Sequence, residues 1–223
     1  MTQTQWTAVD DYITALLIPP DPALDAAIQS TIDSNLPPIN VAPNQGKLLH
    51  ILALTRGVRT ILEIGTLAGY STIWLARALP TDGKLITLEA NPKHAAVAQE
   101  NINRAGLANK VELRLGAALD TLPQLADEGH RSFDLAFIDA DKVNTADYFS
   151  WALKLTRRGS LIITDNVVRK GAVIDPDSDD RNVQGIRRFN EVLATESRVT
   201  ATIIQTVGNK GYDGLAIAFV NAD

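Results

Sequence analysis

Four short segments of the 223-residue chain combine chemically competent residues at usable spacings. The first, Ile61-Leu62-Glu63-Ile64-Gly65-Thr66-Leu67-Ala68-Gly69-Tyr70-Ser71, runs from an apolar stretch through Gly-x-x-x-Gly into a helical pattern. Gly65 and Gly69 at such a strand-to-helix turn let backbone approach a ligand closely, and the helix start offers free N–H groups at a positive dipole end. The spacing is not the Gly-x-Gly-x-x-Gly of a dinucleotide site, and Glu63 ahead of the first glycine would repel a pyrophosphate but suits an ammonium or sulfonium. The second segment, Leu85-Ile86-Thr87-Leu88-Glu89-Ala90, closes its strand with Glu89, 24 residues beyond Gly65, where a carboxylate can accept both hydroxyls of a ribose. Together they favour a nucleoside with a cationic tail. The plainer alternative is that the glycines only shape the turn while Glu89 caps the helix opened by Asn91 and Pro92.

The third feature is split between two runs. Phe133-Asp134-Leu135-Ala136-Phe137-Ile138-Asp139 puts Asp139 at a strand tip with Lys142 three residues beyond, and Ser160-Leu161-Ile162-Ile163-Thr164-Asp165-Asn166 puts Asp165 and Asn166 at another. Ligands of open α/β sheets bind outside the carboxyl ends of the strands, so these groups should face the same crevice as the glycine turn. Two carboxylates and an amide oxygen make half of an all-oxygen shell, which suits Mg²⁺, with Mn²⁺ or Ca²⁺ as alternatives, rather than zinc. Beside such a cation the Lys142 ammonium is disfavoured by repulsion and desolvation, which makes it a candidate general base. Taken singly, each aspartate also reads as a cap and Lys142 as a solvated side chain.

The elements that must position these groups follow from periodicity. From residue 59 short β-type runs alternate with helical stretches, the pattern of a parallel sheet covered on both faces: a doubly wound, Rossmann-like α/β fold. After Thr164 the rhythm changes. Residues 180–194 read as a helix, while 199–207 and 215–220 read as two strands joined by a loop, GNKGYDG, in which Asp213 turns the chain into the last strand. That is an antiparallel C-terminal hairpin at a sheet edge. Residues 1–58 are helical and broken by prolines, with Asp21 and Pro22 opening one helix and Pro43 another. We take 1–58 as a cover on the same domain, over the ligand edge or in a dimer contact, and 59–223 as the ligand-binding core.

Composition bounds the function. At 45% hydrophobic and 21% charged residues the chain is of ordinary globular type, and a net charge of −5 without a basic run argues against nucleic acid. The absence of cysteine removes disulfides, thiolate metal sites and a Cys nucleophile together. The acidic start lacks a signal peptide's basic flank, and no apolar run is long enough for a membrane anchor, so the expected location is cytoplasmic. His50, His94 and His130 show no metal-ligand spacing and read as surface or packing residues, and Trp6, Trp74 and Trp151 as core or dimer contacts.

Taken in order, NVAPNQGKLL (40–49), ILEIGTLAGYS (61–71), LITLEA (85–90), GAAL (116–119), FDLAFIDADK (133–142) and SLIITDN (160–166) resemble the cation-dependent S-adenosylmethionine O-methyltransferases of the caffeoyl-CoA and catechol type. The resemblance covers nearly the whole α/β part. It implies that Val41, Glu63, Gly65, Thr66, Gly69 and Ser71 hold the methionine part of S-adenosylmethionine, Glu89 the ribose, and that Ala118 borders the adenine. It implies that Asp139, Asp165 and Asn166 are the metal ligands, that Lys142 takes the hydroxyl proton, that Asp139 serves cofactor and catalysis as well, and that the enzyme is a homodimer. In the plant branch a Trp and an Asn precede the glycine after Asp-Asn; here Arg169 and Lys170 precede Gly171, and Thr145 stands where a tyrosine is expected. A coenzyme-A ester is therefore not carried over as acceptor. The basic pair reads either as a contact for an acidic acceptor or as solvated loop.

The reaction expected is methyl transfer to a hydroxyl of a small catechol-like or hydroxycinnamoyl phenol, dependent on a divalent cation. The alternatives are a nicotinamide-dependent oxidoreductase, which the glycine spacing disfavours, and a non-catalytic cofactor-binding dimer.

Overall fold

The alternating apolar runs become one sheet in the computed structural model, which describes residues 2–222. Among the described residues the strands are β1 (Thr60–Ile64), β2 (Lys84–Glu89), β3 (Val111–Leu115), β4 (Phe133–Ile138), β5 (Thr156–Asp165), β6 (Val199–Gly208) and β7 (Gly211–Val220), in the spatial order β3-β2-β1-β4-β5-β7-β6. Strands β1 to β5 run parallel, and β7 lies antiparallel between β5 and β6. The fold class read from the sequence is the one observed.

Helices cover both faces. On one, α2 (Pro22–Asp33), α3 (Pro43–Arg56), α4 (Tyr70–Arg77) and α5 (Pro92–Arg104) bury Leu24, Leu49, Ile73 and Ile102 against Ile61, Leu85 and Phe137. On the other, α6 (Ala118–Asp127), α7 (Thr145–Leu155) and α8 (Arg181–Thr195) bury Leu122, Phe149 and Phe189 against Leu62, Ile64 and Leu88. Successive strand residues thus serve opposite cores, which is why the central runs are apolar without alternation.

The helix starts follow their capping chemistry. Asp21 accepts from the Ala23 and Leu24 amides ahead of Pro22, Asn91 from Lys93 and His94 ahead of Pro92, and Asp180 from Asn182. Asp21 also pairs with Arg77 of α4, and the buried Asn101 amide of α5 donates to Ser30 of α2 at 2.8 Å and to the Ala68 carbonyl at 2.9 Å. The N-terminal helices are therefore tied to the scaffold beneath the glycine turn. No helix among the described residues is long and apolar enough to cross a membrane.

The C-terminal hairpin corrects the sequence reading. GNKGYDG is not a loop: β6 and β7 pair from Val199↔Val220 to Gly208↔Gly211, leaving only Asn209 and Lys210 as the turn. Gly214 sits inside β7 because a Cβ there would lie 2.3 Å from Val168 Cγ2. Asp213, likewise inside the strand, does not turn the chain. Its Oδ1 accepts the Val168 amide at 3.0 Å and the Arg169 amide at 2.9 Å. The tip docks on the N-terminal cover, where Asn209 donates to Asp10 and Lys210 to the Pro38 carbonyl. Helix α1 (Gln3–Leu17) meets the hairpin there, with the Gln3 amide on the Gly208 carbonyl.

The Arg77 guanidinium and two helix-start amides hold the Asp21 carboxyl below its usual range. Asp21→Ala should cost about 1–2 kcal/mol at neutral pH in urea unfolding. Because the folded-state value is lowered, that stabilisation is present above the ordinary carboxylate range and fades on acidification through the folded value. The gap between wild type and variant should therefore narrow below about pH 4.

Candidate active site

The sheet's register brings the sequence-predicted groups into one row. Ile64 is paired with Leu88 on one side and Ile138 on the other, and Ile138 with Thr164, so the next residue of each strand is Gly65, Glu89, Asp139 or Asp165. The edge is closed by the Gly65 amide on the Leu88 carbonyl and the Asp139 amide on the Ile64 carbonyl. Gly65 has φ +98°, and a Cβ on it would lie 2.1 Å from the Asp139 carbonyl oxygen. Close approach between the turn and Asp139 is what this glycine permits.

Glu89 shapes the glycine turn directly. Its Oε2 accepts from the Thr66 amide at 3.2 Å and the Leu67 amide at 2.8 Å, while Oε1 accepts from the Asn91 amide at 2.9 Å. One carboxylate thus secures the loop after β1 and the entry to α5, and Leu67 is held at φ +52°. The capping role weighed as the plainer alternative is present, yet Glu89 still lines the cavity that follows. Glu63 lies beneath the turn, fully buried, accepting from the Ser71 hydroxyl at 2.6 Å and from Thr72. Burial first, and the Asp139 charge in addition, push its carboxyl up to about 7 against the lowering effect of those hydroxyls.

At the other end of the row, Lys142 donates to Asp139 Oδ1 at 2.7 Å, both side chains being largely buried. Asp165 is buried, and burial followed by the Asp139 charge pushes its carboxyl up to about 7, opposed by Lys142, the Asn166 amide and Gln45 of α3. Asn166 turns at φ +60°, its amide donating to Asp165 Oδ1 at 2.8 Å. Two carboxylates and an amide oxygen, with neither thiol nor imidazole, form a donor set that a hard divalent cation fits, and such a cation, when bound, would relieve the repulsion between the aspartates.

A cavity of about 520 Å³ runs along the row. Its walls include Val41, Gly65, Thr66, Ser71, Glu89, Ala118, Asp139, Lys142 and Asn166 from the sequence-predicted set. Glu63, Gly69 and Asp165 are not on its surface and act from behind. Gly69 closes the turn, its amide on the Thr66 carbonyl at 2.8 Å.

The O-methyltransferase family profile matches residues 18–218. The chain is 55% identical to a catechol O-methyltransferase of Niastella koreensis over 220 residues, covering 99% of this chain and all of that protein. The chain belongs to the cation-dependent S-adenosylmethionine O-methyltransferase family. Among solved structures, an O-methyltransferase from Bacillus cereus in complex with S-adenosylhomocysteine superposes with a TM-score of 0.97 at 55% identity, over 99% of this chain and 100% of that one. An O-methyltransferase from Streptomyces achromogenes in complex with S-adenosylmethionine gives 0.96 at 52% identity, over the full length of both. The chain is therefore an S-adenosylmethionine-dependent O-methyltransferase on a Rossmann-like sheet.

Sequence reasoning missed part of this O-methyltransferase's cavity wall. His94, read as surface or packing, lines the cavity with Nδ1 3.5 Å from Glu89 Oε1. Its position three residues after the Asn91 cap, on the first turn of α5, was the available signal. Tyr148, whose hydroxyl donates to Asp141, reaches the cavity from α7, one turn after Thr145 at the departure noted above. Ile39 and Asn182 arrive from a loop and a helix start that no local pattern joins, whereas Arg169, of the basic pair singled out in the sequence, does line the cavity.

Gly65→Ala should lower stability by about 1–3 kcal/mol, since the added methyl must displace backbone. It should also weaken S-adenosylhomocysteine binding in calorimetry. Native affinity would mean that the turn relaxes without moving the site.

Proposed function

We propose that the chain transfers the methyl group of S-adenosylmethionine to a hydroxyl of a small catechol-like phenol, with a divalent cation, Mg²⁺ first, held by Asp139, Asp165 and Asn166. The observation that carries this reading is the row itself: the Asp139–Lys142 pair and Asn166 share a cavity wall with the glycine turn, and Asp165 lies buried directly behind Asn166 on the neighbouring strand tip. The name of the Niastella koreensis relative supports the acceptor class.

In this reading Glu89 accepts the ribose hydroxyls, with its backbone partners fixing the carboxylate's orientation. Val41, Thr66, Gly65 and Ser71 line the methionine end, with Glu63 orienting the Ser71 hydroxyl and Gly69 fixing the turn, and Ala118 borders the adenine. Glu63, Asp139 and Asp165 give this end of the cavity a negative potential, which suits a sulfonium better than a pyrophosphate. The cation would supply Lewis-acid stabilisation of the phenolate charge. In the proposed reaction Lys142 takes the hydroxyl proton at Nζ, a role supported by the hydrogen bond with Asp139 that orients it. The phenol oxygen then forms its bond to the methyl carbon as the carbon–sulfur bond breaks, releasing S-adenosylhomocysteine. Holding the two reactants in line and excluding water supplies much of the acceleration.

We also read residues 1–58 as a cover on the same domain as the core at 59–223, the enzyme as a homodimer and its location as cytoplasmic. Leu48, Ile51 and Leu54 stand exposed along α3, and Ile203 and Ile204 on the edge strand β6, which favours a second copy as their cover.

Lys142→Ala should lower kcat by about 10² on catechol in a steady-state assay while leaving S-adenosylhomocysteine affinity within a few-fold. Unchanged turnover would remove Lys142 as the base. Activity should disappear in excess chelator and return with Mg²⁺, and full activity in chelator would refute the metal role.

A further inference from the structure

The basic pair that distinguishes this chain is divided by the fold. Lys170 is exposed, whereas Arg169 lies in the cavity wall, three residues beyond Asn166. The backbone reaches this arrangement through a run of left-handed residues, with Asn166 at φ +60°, Arg169 at +53° and Lys170 at +56°. Side chains other than glycine pay for each such conformation, so the loop persists only where its surroundings enforce it. Asp213 does so from within β7, accepting the Val168 and Arg169 amides as well as its neighbour Gly214 at 2.9 Å.

The Arg169 side chain is incompletely engaged. Its Nε is buried without a hydrogen-bond partner, and Nη1 stands 3.8 Å from Asp213 Oδ2, an ion pair beyond hydrogen-bond length. Asp213 spends Oδ1 on three backbone amides, so it is an incomplete partner for the guanidinium. The other charges on this side of the cavity are matched: Lys142 with Asp139, and Asp141 with the Tyr148 hydroxyl and the Asn144 amide groups. A planar guanidinium with an unpartnered donor, in the same cavity wall as the proposed cation ligand Asn166, fits a planar oxyanion.

Resting on the reading of the enzyme as a catechol methyltransferase, we propose that Arg169 is a specificity-determining residue that receives an anionic substituent on the acceptor ring. The preferred acceptors are then catechols bearing a carboxylate. The loop strain and the Asp213 clamp fix the guanidinium at a set distance from Asn166, so that the carboxylate and the reacting hydroxyls are read together.

The test compares protocatechuate, which carries a ring carboxylate, with its neutral methyl ester and with unsubstituted catechol, using S-adenosylmethionine and Mg²⁺. Wild type should favour protocatechuate over the methyl ester in kcat/KM. Arg169→Met should reduce the protocatechuate-to-catechol ratio by about 10- to 100-fold, mainly through KM, and Arg169→Lys should restore part of it. An unchanged ratio in Arg169→Met would reduce Arg169 to a structural partner of Asp213 and overturn the proposal. If the variant does not fold, equal wild-type values for the acid and its methyl ester overturn it alone. Wild type that methylates none of the three refutes the catechol reading itself, whereas turnover without discrimination refutes only the role of Arg169.

Discussion

The central constraint is the crowding of negative charge along one edge of the sheet. Asp139 and Asp165 follow directly on a paired register of β4 and β5, and Glu63 lies two residues inside the edge on β1. Burial raises the cost of charging Asp165 and Glu63, and the Asp139 charge adds to it at both. The neutralising groups within the chain are few: Lys142 on Asp139, amides on Asp165 and hydroxyls on Glu63. An edge charged in this way is poorly suited to a phosphate and well suited to cations, which connects the donor set at the strand tips with the sulfonium cosubstrate of the family.

The remaining acidic residues of the site show a second use of carboxylates, as anchors for irregular backbone. Glu89 takes amides from the loop after β1 and from the approach to α5, while Asp213 takes amides from the loop after β5. Both loops contain residues at positive φ, Leu67 in one and Asn166, Arg169 and Lys170 in the other. A charged acceptor that collects several N–H groups compensates such strain better than a neutral one, because hydrogen bonds to ionised groups are the stronger kind. The ligand-facing loops are consequently built on the rigid sheet rather than on one another, which holds the two ends of the cavity in a defined relation.

Much of this was legible in the amino-acid order. Parallel strands buried on both faces are mostly apolar, so a polar residue ending such a run marks the strand tip, and Glu89, Asp139 and Asp165 were found by that rule. Helix starts at Asp21 and Asn91 followed from short polar side chains preceding helical runs that open with proline. The hairpin was misjudged because glycine weakens a strand in isolation. Gly214 is retained to admit Val168, a contact 46 residues away that no local pattern encodes.

Local chemistry along the chain therefore determined which elements form, where the strands end and which polar groups stand at their ends, because those properties depend on periodicity and on neighbours a few residues apart. Only the tertiary structure decided that Gln45 meets Asp165, that His94 approaches Glu89, and that Arg169 faces inward while Lys170 faces out. Each of those outcomes depends on how separate elements pack and on loop backbone held in left-handed conformations by a carboxylate from another strand, and neither is expressed in the spacing of adjacent residues.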